Sequence, residues 1–520
     1  MKAHLVGGGI SSLAAGAYLF KDGGLLANNI HIYESSEKYG GALDAIGNPE
    51  SGYSMRGGRM WEEQDSCIHD LLSFIPTRDD PTKSIDEDLR EFYATTSWYN
   101  KARLIGAGGK IVDAGKFGLS KRNLLELTEL MLTPEALLDG KTIGDWFDPS
   151  ILNTNFWYMF GSIFAFLPWH SVIEMRRYLL RFFHLLPTMA TMTTIQRTRL
   201  NQYEGIVLPM IDWLRRLGVN FHTNARVTDI EFLHQQDKIA ASRLHVTEGS
   251  ETRKVDVSPS DLVFVTLGSH VAGSTRGSMA SVPPVSSQPD PSWLLWETLA
   301  RGRKNFGHPS AFNSDVGKSA WVTFTITSRG PAFASLMEKL TGSEVGRGGL
   351  ITLKDSNWLV TINSFHNPHF TNQPRDVNIW WGYGLYLDRP GNYVPKKMTE
   401  CTGEDILKEV VHHLGLEADL GKITASTNCI PCLLPYAGSV LLLRHKGDRP
   451  DVVPHGSKNI AFIGQFVEIP DEVIFTTEYA VRTARIAVAS LLKIDRMPPP
   501  VYKGQFDPMV VLAATKALNA

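Results

Sequence analysis

Residues 3–34 read AHLVGGGISSLAAGAYLFKDGGLLANNIHIYE, and this stretch decides the fold. The apolar run from His4 to Val6 has strand composition and leads directly into Gly7-Gly8-Gly9-Ile10-Ser11-Ser12. The LAAGAYLFKDG that follows has helical composition and ends on Gly23 as a glycine stop. A second strand-like run, Ile30 to Tyr33, ends in Glu34. Strand, tight turn, helix and strand open a βαβ unit. In such a unit Gly7 permits the turn, and Gly9 lets a pyrophosphate approach the backbone at the helix N-terminus. Ser12 stands where a third glycine is usual, and Gly16 follows on the helix. Glu34, at the end of the second strand, is placed to accept both ribose hydroxyls of a dinucleotide. Lys2 before an apolar run resembles a signal peptide, but three consecutive glycines occupy the place of leucines, so the stretch is expected to stay as structure.

The 520 residues are 43% hydrophobic and 20% charged, enough apolar material for about two to three lobes. The formal net charge is -2 and the charges are spread along the chain, which argues against nucleic acid as a partner. Four cysteines are too few for a disulfide framework, so a reducing, cytoplasmic setting is expected. Cys429 and Cys432 form a CxxC, but no second pair or nearby histidine completes a metal set, and no metal is expected. The uncharged run from Phe156 to Trp169 is about half to two-thirds of a membrane span and is expected to line a core or an apolar pocket.

Outward from the opening unit, residues 121–217 have helical patterning. Strands are expected around Val219–His222, at Arg243–Val246 and in DLVFVTLGS from Asp261. The segment from His270 to Ser292 is rich in Gly, Ser and Pro and too irregular for helix or strand, as in a lid or linker. Between 320 and 390 the runs WVTFTIT, WLVTIN and IWWGYGLYL read as a separate sheet. Nucleotide-fold character returns with NIAFIGQF, Asn459 to Phe466, and the helix TTEYAVRTARIAVASLL.

Glu34 followed by Gly40-Gly41 resembles flavoproteins of the glutathione-reductase-like class, so FAD is the expected cofactor. Arg56-Gly57-Gly58-Arg59 adds guanidinium donors for a phosphate or a flavin carbonyl edge, with glycines for close approach. YSMRGGRM, NTNFWYMFGSIFAFLPWHSVIEMRRYLLRF, RLNQYEGIVLPMIDWL, DLVFVTLGS, GDRPDVVPHGSKNIAFIGQF and FTTEYAVRTA resemble, in order and over nearly the whole chain, the oleate hydratases, also called myosin-cross-reactive antigens. The resemblance implies an enzyme that adds water to the cis-9 double bond of long-chain unsaturated free fatty acids, giving 10-hydroxy products with no net redox change. It implies an α/β fold: a discontinuous Rossmann-like FAD-binding lobe with a β-rich substrate lobe and a helical cap. The expected segments are the FAD lobe in 1–120, 218–290 and 426–500, the cap in 121–217, the substrate lobe in 291–425, and a short tail in 501–520.

The resemblance also assigns roles. The tyrosine of Met-Arg-Arg-Tyr, here Tyr178, is the catalytic phenol. The family's catalytic glutamate follows Arg-Gly-Gly-Arg, where this chain has Met60. Methionine cannot take a proton, so either Glu62, Glu63 or Asp65 serves instead, or water activation is weaker. The substrate carboxylate anchor falls on Gln202, Thr361, Asn363 and His369, with Leu200 departing from the usual YNQY. FAD contacts fall on Gly7, Gly9, Ser11, Ser12, Glu34, Gly41, Ala42, Arg56, Val227, Gly464, Thr476 and Ala480.

Met60 keeps two other readings open: a flavin-dependent fatty-acid double-bond isomerase or other FAD oxidoreductase, and a lipid-binding protein with weak catalysis. The chain lacks the long terminal extensions that assist dimers in this family, so a monomer is expected. The Arg176/Arg177/Arg181 helix and the partitioning of fatty acids into bilayers leave room for transient membrane-surface contact.

Overall fold

The computed structural model describes every residue except 59, 236, 237, 287 and 288. Ala3–Val6 and Ile30–Tyr33 are adjacent parallel strands joined by the helix Ile10–Lys21. That helix ends one step away from the expected glycine. Tyr18 O accepts from the N–H groups of both Asp22 and Gly23, and the left-handed turn falls on Gly24, at φ 65°.

Five parallel strands form the nucleotide sheet, in the order Ile460–Ile463, Leu262–Thr266, Ala3–Val6, Ile30–Tyr33, Asn220–His222. They come from distant parts of the chain, so the lobe is discontinuous as expected. Leu5, Ile32, Val263 and Ile460 are fully buried, as the strands of a covered parallel sheet must be. The helix Thr477–Leu492 packs against Ile10–Lys21, with Ala480, Ala484 and Ala487 buried where small side chains allow close approach. Thr476 caps it by accepting from Tyr479 N. A three-stranded antiparallel sheet, Glu251–Asp256, Lys238–Glu248 and Ala225–Gln235, lies in the stretch before Leu262.

The substrate side is an eight-stranded sheet in the order Thr275–Arg276, Thr427–Leu434, Trp321–Arg329, Val377–Gly384, Thr361–Ser364, Ile351–Leu353, Leu104–Gly106, Lys110–Val112. Its membership crosses the expected segment boundaries in three places. Leu104–Gly106, from within 1–120, pairs parallel with Ile351–Leu353. Thr427–Leu434, from within 426–500, pairs with Trp321–Arg329. Thr275–Arg276, in the segment expected to hold no strand, pairs with Cys432 and Leu433. In WLVTIN only the stretch from Thr361 is strand, because Leu359 turns the chain at φ 50°.

The middle segment is helical as expected, with Lys121–Leu132, Asn155–Phe164, Val172–Arg181 and Leu208–Leu217. Ser120 and Thr154 cap the first two by accepting backbone N–H groups. The stretch expected to be a plain tail contains the helix Pro508–Leu518, capped by Asp507 and packed against Phe183–Thr188.

Candidate active site

At the nucleotide end, the first turn of Ile10–Lys21 has no side-chain cap and no acidic residue, so its N–H groups point into open space. A side chain built on Gly9 would meet nothing within 4 Å, while one on Gly41 would come within 3.2 Å of Gly9 Cα. Gly7 has φ 99° and a Cβ there would press on Thr266 at 3.1 Å. Ser12 Oγ lies 3.2 Å from Thr266 Oγ1, and Gly464 N donates to Thr483 Oγ1. Glu34 accepts from Gly8 N through Oε2 at 2.8 Å and from Ser36 N through Oε1. Arg56 donates to Asp44 at 2.6 Å, to Gly41 O at 2.6 Å and to Ser274 Oγ at 3.0 Å. The structure thus gathers Gly7, Gly9, Glu34, Gly41 and Arg56 around one cradle, and Gly464 beside Ser11, whose Oγ is 3.8 Å from a Cβ built there. Ala42, Val227 and Ala480 offer no polar side chain; Val227 and Ala480 are buried. Arg59 lies outside the described residues.

From Arg56 and Thr476 a cavity extends into the helical cap, enclosing about 1410 Å³ of space free of protein atoms, mouth included. Phe160, Phe164, Phe182, Leu185, Leu186 and Trp381 make most of its wall apolar. Tyr178, 2% exposed, lines it. Its ring is held edge-on by Phe164 at 4.7 Å and Phe166 at 5.0 Å, and its hydroxyl donates to Ile474 O at 2.5 Å. Met60, Glu62 and Asp65 line the same cavity.

Glu63 does not line the cavity. Its carboxylate faces outward, paired with Arg90 at 2.9 Å and with Gln196 Nε2 at 2.9 Å, and its side chain is 59% exposed. The physical reason is a turn: Asp65 N donates to Glu62 O, which puts Glu63 and Gln64 at the tip while Glu62 and Asp65 stand at its base toward the cavity. Glu62 accepts from Arg181 Nη1 at 2.6 Å and pairs with His184 Nε2 at 3.0 Å. Asp65 meets Arg181 at 2.9 Å. Behind them Glu472 pairs with both Arg181 and Arg482, and Glu478 with Arg482. Four carboxyls thus share two guanidiniums. Burial, with Glu62, Glu478 and Glu472 adding to it against Arg181, holds the Asp65 carboxyl well above the usual range. Burial opposes ionisation of Glu62 too, but the His184 hydrogen bond and Arg181 outweigh it and hold that group low. The cavity wall therefore sets side by side two acids whose surroundings push them in opposite directions, Glu62 toward its charged form and Asp65 toward its neutral form.

The structure does not bring the four expected anchor residues together: Gln202 and His369 line a small cavity, while Thr361 and Asn363 are buried in the sheet beside residues that line the large one. Thr361 and Asn363 stand opposite Tyr383 and Trp381 on neighbouring strands, hence on the sheet face that lines the large cavity. Thr361 Oγ1 lies 3.0 Å from Thr352 Oγ1, and Asn363 Oδ1 is buried without a partner. Gln202 and His369 line a smaller cavity of about 300 Å³. Gly58 belongs to both walls. His369 stacks on Phe365 at 4.2 Å, and burial pulls its imidazole down to about 3, so it is neutral.

Sequence reasoning missed the ionic partners. Arg177 and Arg181, which left room for transient membrane contact, are 5% and 2% exposed and engaged with Glu135, Glu468, Glu62 and Asp65. Glu478 and Arg482 pair at i,i+4 on one helix, but nothing local shows that Glu472 joins them to Arg181, which lies 291 positions away. Cys429 and Cys432 sit three apart on one strand and so on opposite faces; all four cysteines are free and buried. Among the described residues no helix is long and apolar enough to cross a membrane.

Solved structures share the fold. A Methanosarcina mazei oxidoreductase has TM-score 0.51 at 12% identity, over 95% of this chain and 100% of that one. A putrescine oxidase variant has TM-score 0.52 at 14% identity, over 95% and 98%. Curated relatives are much closer. The oleate hydratase of Streptococcus pyogenes serotype M49 (strain NZ131) is 38% identical over 99% of this chain and 89% of its own. The linoleate hydratase of Lactiplantibacillus plantarum is 32% identical over 99% and 98%. With the MCRA family matched from residue 1 to residue 489 as well, the chain belongs to that family.

Proposed function

We propose that the chain is a hydro-lyase that adds water across the cis-9 double bond of free unsaturated fatty acids, converting oleic acid to 10-hydroxystearic acid. The observation that carries this is the apolar cavity whose wall holds the Tyr178 phenol and the acids Glu62 and Asp65. The two hydratase relatives, similar over nearly the whole chain, support the same reaction.

The chemistry needs an acid on one alkene carbon and an activated water on the other, in a site that excludes bulk water. Tyr178 passes its hydroxyl proton to one carbon. Glu62 takes a proton from the water that attacks the other carbon, and Asp65 and His184 return one toward the phenol. The sum is addition of one H2O. Met60 fills the wall and takes no proton. Thr361, Asn363, Gln202 and His369 supply neutral donors for the substrate carboxylate.

The cradle at Gly7, Gly9, Ser11, Ser12, Glu34, Gly41, Ala42, Arg56, Val227, Gly464, Thr476 and Ala480 fits FAD. Open space at Gly9 and uncapped N–H groups suit a pyrophosphate, and Arg56 faces the cavity. When bound, the flavin supplies shape and an electrostatic field, with no net electron transfer. The proposed setting is a cytoplasmic monomer, in keeping with four unpaired cysteines.

Incubating the protein with FAD and oleic acid in oxygen-18 water, without an electron acceptor, tests the reaction by mass spectrometry. Labelled hydroxystearate is expected, and Tyr178→Phe lowers its rate by about 10²–10⁴-fold. Bound oleate with no hydroxylated product overturns the reading in favour of double-bond isomerisation or lipid carriage.

A further inference from the structure

His184 stands between the acid cluster and the outside of the fold. It belongs to the turn Phe183–Thr188, whose Leu185, Leu186 and Thr188 line the cavity while His184 itself does not. Its Nε2 lies 3.0 Å from Glu62 Oε2, and its Nδ1 is buried with no partner. Glu62 in turn accepts from Arg181, which also meets Asp65 and Glu472. The His184 side chain is 14% exposed, against 4% for Glu62, 6% for Asp65 and 1% for Glu472. It is thus the member of the cluster that comes closest to solvent.

What covers it is the strap of residues 493–507, which joins the helix Thr477–Leu492 to Pro508–Leu518. The Tyr502 ring packs edge-on against the His184 ring, with centroids 5.0 Å apart. A Cβ on Gly504 would come within 2.9 Å of the Tyr502 ring, so a larger residue there would push the ring from its place. The strap is fastened to the same cluster: Arg482, which pairs with Glu472 and Glu478, donates to Pro499 O at 2.6 Å. Lys503 pairs with Asp471 at 2.7 Å, next to Glu472 along the chain. Pro498, Pro499 and Pro500 stiffen the strap beside Tyr502. The helix Pro508–Leu518 then packs on the turn that carries His184.

An imidazole with one nitrogen on a carboxylate of the cavity wall and the other on nothing is a relay whose outer end is shut. An acyl chain in the cavity keeps water from the acids in front, so they meet bulk water from behind. We propose that His184 is the port through which the Glu62 and Asp65 pair exchanges protons with bulk water, and that Tyr502 on the strap is its shutter. The inference rests on the reading that Glu62 accepts a proton from the attacking water. When the Tyr502 ring moves off, a proton taken up from water at Nδ1 releases the one on Nε2 to Glu62, and the reverse step lets one out. The ring changes tautomer, and the sum of the reaction stays the addition of one H2O. His184 is a positioning residue here: it touches neither the alkene nor the attacking water and acts through Glu62.

The test is the initial rate of 10-hydroxystearate formation by the FAD-loaded protein, with and without added imidazole. His184→Ala lowers kcat by about tenfold or more and leaves KM for oleate near the parent value. Imidazole restores part of the lost rate, and restores more of it when Tyr502→Ala is added to His184→Ala and the cover is gone as well. Rescue in neither variant, equal rescue in both, or a rise in KM that matches the fall in kcat overturns the proposal. Should His184→Ala not fold, diethyl pyrocarbonate takes its place: His184 is carbethoxylated several times faster in Tyr502→Ala than in the parent, and activity is lost in step. Equal rates in the two proteins overturn the proposal as well. Failure of the reading beneath it shows separately, as absent hydroxystearate in the parent protein or an unimpaired Glu62→Gln.

Discussion

Glu62 and Glu63 are neighbours with the same chemistry and opposite surroundings. One is 3% exposed on the cavity wall between Arg181 and His184; the other lies in solvent beside Arg90. If the cavity carboxylate activates water, Glu62→Gln lowers the initial rate of 10-hydroxystearate formation by about 10²-fold, while Glu63→Gln stays near the parent rate. Equal effects from the two would sink Glu62 as the proton acceptor. Composition and resemblance could nominate three acids near Met60, but the choice among them depends on which way each side chain points. That is set by the turn that Asp65 N closes on Glu62 O and by the partners on either side of it, Arg181 and Arg90, which lie far along the chain.

The helix Val172–Arg181 shows the same division at the scale of an element. Its period is readable, and it puts Glu174, Arg177, Tyr178 and Arg181 on one stripe that faces inward. What the stripe meets is not readable, because the partners come from the far end of the chain. Glu174 accepts from Arg444 and Arg449 at 2.9 Å each, and Arg177 and Arg181 reach Glu468 and Glu472. These contacts tie the helix that carries Tyr178 to the segment that returns to the nucleotide lobe. Glu174 is wholly buried, so Glu174→Gln removes the acidic partner of Arg449, leaves Arg444 with Glu468 alone, and costs about 3–5 kcal/mol. Urea unfolding measures this; a loss below about 1 kcal/mol would mean that the network does not hold the helix. The expected sheet boundaries failed on the same ground: strand composition in 320–390 was legible, but the strands in 104–112 and 427–434 were not read, and the parallel pairing of Leu104–Gly106 with Ile351–Leu353 is a long-range fact.

Across the whole molecule, folding the interrupted lobes together removes several histidines from water. His4 and His31 face each other on adjacent strands, rings stacked at 5.4 Å, and His31 stacks on His222 at 5.5 Å. Burial first, then mutual repulsion, pulls His4 and His31 down to about 4. His170 and His369 are fully enclosed, and burial pulls each down to about 3. In the unfolded chain these rings titrate near 6.5. Above that pH both states are neutral and the histidines add no pH dependence. Below it the unfolded chain takes up protons that the native state refuses, so stability falls as pH drops from about 6.5 toward 4. Glu174 behaves differently: burial opposes its charge, but Arg449 and Arg444 hold it at about 2, so its contribution stays intact down to about 4.5 and is lost only below that. The first acid destabilisation therefore belongs to the histidines. Melting temperatures measured in steps from pH 8 to pH 4.5 are expected to be level above about 7 and to decline through the range below 6.5. His170→Gln, whose amide oxygen can still accept from Leu167 N as His170 Nδ1 does, makes that decline shallower. A flat profile down to pH 5, or an unchanged slope in His170→Gln, would show that these rings take up protons without unfolding the lobes around them.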